Sequence, residues 1–236
     1  MAELSLDVRD AVAIITLDDG KANALRPSNL LALSAALDEA EGVGAIVLTG
    51  RPGFFCGGLD LKFLPGLDAP AKREMFHLFS TLMLRIATLP CPTVAALGGH
   101  AFGGGALLAL ACDLRIGVAG PARFATNEVA IGLAMPTFGV EICRTALAGP
   151  TLTEALLHGR TFAFEEAHAR GILAELVAPE ALAGAALARA AALAKISSVA
   201  YHATKRRLHG ARFDAARVMM ESELEGFVDA FDRIGR

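Results

Sequence analysis

The sequence predicts an α/β fold with a helical C-terminal region, and three observations support this. Short apolar runs alternate with longer amphipathic segments over residues 4–177, which is typical of strand–helix units around a sheet. Glycine-bearing loops follow two of the short runs. Beyond them, residues 179–234 have helical character throughout. We therefore expect a core in residues 1–178 and a helical region in residues 179–236.

The predicted strands are short and apolar, and the first two form a hairpin that turns near Asp10. The run that starts at Pro92 is a strand followed by a glycine-rich turn and an apolar helix. Another glycine-bearing loop, residues 50–62, follows the third strand. The predicted strands in chain order are Leu4–Arg9, Val12–Leu17, Ala45–Thr49, the run after Pro92, 113–119, 124–129 and 172–177.

The predicted helices follow from apolar residues at helical spacing and from Pro27 at a first helical position. Residues 71–88 carry an apolar stripe, and Pro90 ends that helix. Three short helices follow Pro136, and the C-terminal region is expected in about three pieces broken near Ser197 and Gly210. The other helices are 27–40, 138–147, 152–158 and 164–170, the last three closed by Gly149, Gly159 and Gly171.

Composition excludes several classes of protein. Hydrophobic residues make up 54% of the chain, so we expect partner subunits to cover some apolar surface. A net charge of -3 offers no basic footprint for nucleic acid. No apolar run is long enough for a membrane helix, and since the first residues show no basic and apolar signal pattern we expect no secretion signal. Four widely spaced cysteines indicate a reducing compartment, and we expect a cytoplasmic protein.

Motifs for cofactor and metal chemistry are missing from the sequence. The glycines of residues 98–105 do not have the spacing of a dinucleotide-binding fingerprint, and there is no phosphate-binding loop of the Walker type. The histidines lack metal-ligand spacing, and no serine lies in a hydrolase elbow. We expect neither a cofactor nor a metal.

The two glycine-bearing segments, residues 57–60 and 103–105, can each present a backbone N–H. Two such groups aimed at one carbonyl oxygen make an oxyanion hole. A carboxylate nearby would complete a site for proton abstraction beside that carbonyl. Glu128 is the best candidate, because it lies in an otherwise apolar stretch where an unpaired carboxylate is costly. An ordinary turn glutamate is the alternative.

Six ordered segments resemble the crotonase superfamily, the enoyl-CoA hydratase/isomerase family. The match covers residues 4–177 with the family's spacing, and the helical region fits in character. The segments are KANAL from Lys21, AIVLTG from Ala45, FCGGLDLK from Phe55, the stretch 92–105, ACDLRI from Ala111 and FATNEVAIG from Phe124.

The resemblance implies a spiral of ββα units, a CoA thioester substrate with CoA entering only as part of that substrate, and a homotrimer or dimer of trimers. By position, the oxyanion-hole donors would be the backbone N–H groups of Leu59 and Gly104. The residues that would border CoA and substrate are Lys21, Ala22, Ala24, Gly57, Asp60, Leu61 and Leu107.

The residue at position 107 favours one reaction of the family. Its hydratases use two glutamates, one just after the glycine run and one at the Glu128 position, and here the first is Leu107. Asn127-Glu128 resembles the segment of the 3,2-enoyl-CoA isomerases, which keep only the second glutamate. We therefore predict an isomerase in which Glu128 is the sole acid and base.

Several alternatives remain open from the sequence. A hydratase could use a relocated acid such as Glu141, although pairing with Arg144 on a helix surface is favoured for that residue. A non-catalytic acyl-CoA binder would have no need of Glu128. An RNA-binding member of the fold would need the basic segment 205–212. Other residues could serve the site or simply pack: His100, Phe76, Phe79 and Leu82.

Overall fold

The computed structural model describes residues 4–234. Its strands are β1 (Leu4–Arg9), β2 (Val12–Leu17), β3 (Ala45–Thr49), β4 (Gly53–Cys56), β5 (Thr93–Leu97), β6 (Gly99–Phe102), β7 (Leu114–Val118), β8 (Arg123–Ala125), β9 (Phe162–Ala163) and β10 (Glu175–Val177). Its α-helices are α1 (Pro27–Glu39), α2 (Ala69–Ala87), α3 (Gly104–Ala111), α4 (Thr137–Ala146), α5 (Gly149–Leu156), α6 (Phe164–Ala169), α7 (Leu182–Leu193) and α8 (Ser198–Ile234).

The larger sheet has six strands in the order β1-β2-β3-β5-β7-β10. Only β1 runs antiparallel to its neighbour, and the other pairs are parallel. The central strand β5 is buried along its whole length, as is typical of a parallel sheet covered on both faces. The predicted bounds of β1, β2 and β3 are confirmed, because their apolar runs are bounded by clear turn residues.

The second sheet has four strands in the order β4-β6-β8-β9 and corrects two expectations. Residues 53–56 and 99–102 were expected in a loop and a turn, yet they pair in parallel as β4 and β6. Each has only four residues and begins with glycine, so its sequence pattern is that of a loop. Pairing between distant segments, rather than local propensity, makes them strands.

The C-terminal region consists of α7 and α8. Helix α7 lies on the larger sheet, and α8 packs against α2 and α4. The expected break at Gly210 is wrong, because α8 is one continuous helix of 37 residues that includes Gly210. Gly210 is buried and a Cβ there would lie 3.2 Å from Arg206 Cζ, while Phe213 and Ala216 anchor the next turns in the core. Tertiary packing therefore outweighs the helix propensity of one glycine.

One further difference concerns a helix end. Gly149 begins α5 rather than closing α4. Gly159 and Gly171 do follow their helices, as predicted, and both have positive φ.

Within residues 4–234 no single helix is both long and apolar enough to cross a membrane. Only α7 and α8 taken together, bent by 97°, reach that length and composition.

Candidate active site

The N-terminus of α3 forms one wall of the site. Gly103 precedes the helix with φ 51°, and Gly104 is its first residue. The amide of a first helical residue has no acceptor within the helix and points outward from its N-terminal end. The Gly104 N–H is therefore available to an oxygen atom that lies just beyond this end of the helix, where the helix dipole also favours negative charge.

The second amide comes from the loop after β4. Leu25 pairs with this loop through its N–H to Gly58 O, at 2.7 Å, and through its carbonyl to Asp60 N–H, at 3.1 Å. In such a parallel bridge the N–H of the intervening residue, Leu59, points to the opposite side. Leu59 and Gly104 line the same cavity, so both residues predicted to supply the amides border one space.

Two glycines allow the loop and the helix to approach. Gly58 has φ +82°, and a Cβ on it would lie 2.6 Å from Phe102 O and 3.0 Å from Gly104 N. A Cβ on Gly105 would lie 2.1 Å from Cys56 O, which is backbone and cannot turn aside. Only glycine fits at both positions, because any side chain would drive the two amide-bearing segments apart.

Glu128 lies at the cavity, beside the glycine run. The residue is 9% exposed. Glu128 Oε1 lies 3.6 Å from the position of a Cβ on Gly103, which places the carboxylate beside the first turn of α3. The described residues supply no hydrogen-bond partner for Glu128 Oε2. A buried carboxylate oxygen without a protein partner is uncommon, and at a cavity it is free to bond a ligand.

Burial raises the pKa of Glu128 to about 7, and a hydrogen bond from its own backbone N–H opposes this shift. The charged form loses solvation, and no cation of the described part of the chain offsets this loss. A carboxyl group with this pKa both accepts and returns a proton readily near neutral pH.

The raised pKa has a measurable effect on stability. The folded protein binds the Glu128 proton more tightly than the unfolded chain, so this group makes folding less favourable as pH rises from about 4.5 to about 7. The unfolding free energy of Glu128→Gln minus that of wild type is therefore expected to increase by about 2–3 kcal/mol as the pH rises from about 5 to about 8. Urea unfolding of both proteins at the two pH values measures this difference, and an unchanged difference would place Glu128 in solvent.

The cavity holding Glu128 is small and apolar, with a volume of about 80 Å³. Leu107 lines it from α3 and is 1% exposed. Among the described residues that line it, only Asn127 and Glu128 have polar side chains. Glu128 is therefore the one ionisable group at this cavity within residues 4–234. Gly57 and Leu61, two of the residues predicted to border the substrate, line it too.

The remaining predicted substrate contacts lie just outside the cavity. Asp60 binds Arg26 at 2.6 Å and accepts the backbone N–H groups of Lys62 and Phe63. Although burial acts to raise it, these hydrogen bonds lower the pKa of Asp60 overall. Asp60 thus organises the loop that carries Leu59.

Lys21, Ala22 and Ala24 belong to the loop between β2 and α1. The Ala22 carbonyl accepts the Gly57 N–H at 2.8 Å, which joins this loop to the oxyanion-hole segment. None of the three lines the cavity in the described structure. Their role in holding CoA stays a prediction.

Glu141 does not reach Glu128's cavity. It lies on α4, and its carboxylate is 3.5 Å from Arg144 Nε one turn later. The described residues that line the cavity do not include it. His100 is also elsewhere, since its Nδ1 accepts the Arg123 N–H at 3.1 Å and its ring stacks on Phe102. Glu141 and His100 thus have the structural contacts that were the alternative to a role in the site.

The helical region supplies part of the cavity that the sequence did not predict. Phe227 and Phe231 of α8 line it, together with Phe79 of α2. Phe76 stands behind Phe227, with ring centroids 4.2 Å apart. The two α8 residues are four apart and therefore share a helix face, and this spacing is the only sequence pattern that pointed to them. Nothing in that spacing indicates that α8 returns to the site.

Metal-binding geometry is not found in residues 4–234, where no three His, Cys, Asp or Glu side chains come together as ligands. The basic segment that an RNA-binding member of the fold would need is partly neutralised: Lys205 Nζ binds Asp113 at 2.8 Å, and Arg206 binds Asp214 at 3.2 Å.

The fold and the site define an enzyme of the crotonase fold, and comparison with known proteins gives its family. A family model described as enoyl-CoA hydratase/isomerase matches residues 7–234. A putative enoyl-CoA hydratase of Thermus thermophilus is 40% identical over 191 residues, which are 78% of this chain and 73% of that protein. The chain belongs to the enoyl-CoA hydratase/isomerase family.

Solved structures support the same assignment. An enoyl-CoA hydratase/isomerase family protein of Pseudomonas syringae is 37% identical, with a TM-score of 0.89 over 95% of this chain and 98% of that one. Human mitochondrial Δ3-Δ2-enoyl-CoA isomerase is 25% identical, with a TM-score of 0.92 over 97% of this chain and 92% of that one. The relatives thus bear both hydratase and isomerase names.

Proposed function

We propose that this enzyme moves a double bond in an enoyl-CoA, converting a 3-enoyl-CoA to a 2-enoyl-CoA. The observation that carries the proposal is that Glu128 is the single carboxylate among the described residues of a cavity that is otherwise lined by apolar side chains, backbone amides and the Asn127 side chain. A double-bond shift needs one group that removes a proton and returns it. Hydration also needs a water molecule to be held and activated, for which the family's hydratases use a second glutamate.

The proposed reaction begins with the thioester carbonyl in the oxyanion hole. Its oxygen accepts hydrogen bonds from the N–H groups of Leu59 and Gly104, which makes the C2 protons more acidic. The Glu128 carboxylate removes one C2 proton, and the electron pair moves onto the thioester oxygen as an enolate conjugated with the C3–C4 double bond.

The second half of the reaction returns the same proton. Glu128 delivers it to C4 as the enolate collapses, so a C2–H bond is broken, a C4–H bond is formed and the double bond lies between C2 and C3. No electrons are gained or lost overall. A pKa of about 7 lets the carboxylate serve in both directions at neutral pH.

Leu107 favours this reaction over hydration because its side chain has no group that can hold water. Its side chain is buried at the cavity and offers no hydrogen bond to a water molecule. Water near the enolate or the 2-enoyl product is therefore poorly held, and the competing addition is slowed.

The experiment that tests the proposal compares two substrates. We expect purified enzyme with a 3-enoyl-CoA to give a rise in absorbance from the conjugated thioester, and with a 2-enoyl-CoA to give no comparable loss. Rapid loss of absorbance with the 2-enoyl-CoA would mean that the enzyme is a hydratase and that Leu107 does not prevent hydration. No change with either substrate would favour the acyl-CoA binder.

A further inference from the structure

A second, larger cavity lies next to the one that holds Glu128. It sits between residues 132–136 and helix α8, and its volume is about 320 Å³ against about 80 Å³ for the first. The two cavities share four lining residues, namely Leu133, Ala134, Pro136 and Phe227. No more than a layer of side chains therefore separates them.

Phe227 is the one aromatic residue among the four shared positions. Its ring packs on Phe76 at a centroid distance of 4.2 Å and on Phe231 at 4.4 Å. Both partners lie on the side of the first cavity or behind it, and Phe231 lines that cavity as well. The Phe227 ring thus stands between the two cavities and is in position to guide a chain from one to the other.

Small residues of α8 line the second cavity, and of these Gly226 is exposed to solvent while Ala230 is buried. Gly226 and Ala230 line it one helical turn apart. No atom lies within 4 Å of the place that a Cβ on Gly226 would take. Glycine in a helix interior is less stable than alanine, so helix stability alone gives no reason for its presence here.

The other walls of the second cavity suit an apolar ligand. Leu133, Ala134, Met135 and Pro136 form one side. Its described charged lining residues are one cation, Arg233, whose Nε donates to the Asp229 carbonyl at 3.2 Å, and one carboxylate, Glu223, which accepts hydrogen bonds from the backbone N–H and the hydroxyl of Thr137. The charge of Glu223 is therefore already used in holding the start of α4.

We propose that the second cavity receives the distal part of a long acyl chain, and that Gly226 determines which chain lengths the enzyme accepts. This inference rests on the proposed function, because the thioester must lie between the two amides for the chain to run past Phe227. The first cavity alone then holds a short acyl group, and the second adds apolar surface for each further methylene group.

The test fills the cavity at Gly226 and measures acyl-CoA binding. Gly226→Leu places a branched side chain in the open space, and Gly226→Ala is the matched control that changes helix propensity with only one added carbon. Dissociation constants are measured by calorimetry for butanoyl-CoA and dodecanoyl-CoA below the concentration at which the latter forms micelles. Saturated acyl chains bind without reacting, so the result does not depend on turnover.

We expect dodecanoyl-CoA to bind wild type more tightly than butanoyl-CoA does. Each buried methylene contributes about a fourfold gain in affinity, so displacing two or more should weaken dodecanoyl-CoA binding to Gly226→Leu at least tenfold. Butanoyl-CoA should bind this variant within about twofold of wild type, and Gly226→Ala should bind both ligands within about the same margin.

Two results would overturn the inference: equal affinity of wild type for the two ligands, or an equal effect of Gly226→Leu on both. Failure of the proposed reaction is seen separately, as absent turnover of 3-enoyl-CoA. Length-dependent binding that is lost in Gly226→Leu would support the second cavity even then.

Discussion

Glu128→Gln is expected to lower kcat for 3-enoyl-CoA isomerisation by about 10³–10⁴-fold, the upper part of the range for loss of a general acid–base group. Glutamine has nearly the same size but cannot take up the C2 proton. Because the thioester is held by the two amides and by apolar walls, acyl-CoA affinity should stay within a few-fold of wild type. Steady-state kinetics and calorimetry with a saturated acyl-CoA separate the two effects.

Glu141→Gln is the control for this variant. Glu141 lies on α4 outside the cavity and loses only a partly exposed ion pair with Arg144, which contributes little to stability. Its kcat should remain within about twofold of wild type. A large loss in Glu141→Gln, or turnover that survives in Glu128→Gln, would transfer the catalytic role away from Glu128.

Gly58→Ala is expected to lower kcat by about 10²–10³-fold, the effect of losing one oxyanion-hole donor. Its Cβ would lie 3.0 Å from Gly104 N and 2.6 Å from Phe102 O, so the loop and the helix must separate. The amides then no longer meet on one oxygen. The enolate oxygen carries more charge than the substrate carbonyl, so kcat should fall more than acyl-CoA affinity.

Gly171→Ala is the matched control for backbone strain. Gly171 has φ +76°, close to the +82° of Gly58, and no atom lies within 4 Å of the position of its Cβ. Both variants should lose about 1 kcal/mol of stability from the left-handed backbone of a non-glycine residue. Only Gly58→Ala should lose activity, and an equal loss in the two would mean that general destabilisation accounts for the effect.

Much of the larger sheet could be predicted, because its strands are apolar runs with clear boundaries. The bounds of β1, β2 and β3 follow from alternation, β-branched residues and neighbouring turns. Of the second sheet, only β8 was partly predicted from local pattern, because the expected strand 124–129 overlaps Arg123–Ala125. β4 and β6 are short and begin with glycine, and they become strands only because Gly53–Cys56 and Gly99–Phe102 come together in the folded chain.

The site shows the same division. Glycines at 58 and 104 and a carboxylate in an apolar stretch indicated where amides and a base could be, with an ordinary turn glutamate as the alternative for Glu128. Phe227 and the second cavity were not predicted. Their positions depend on α8 continuing through Gly210 and returning to α2 and α4, which is a matter of tertiary packing.

The central claim is that one carboxylate both removes and returns the proton, and isotope transfer tests it most directly. A 3-enoyl-CoA carrying two deuterium atoms at C2 is converted in ordinary water, and early product is analysed by mass spectrometry and NMR. We expect part of the 2-enoyl-CoA to retain both deuterium atoms, one at C2 and one moved to C4, because Glu128 is shielded from water. Product that never carries deuterium at C4, even at the earliest times, would contradict transfer by a single shielded group.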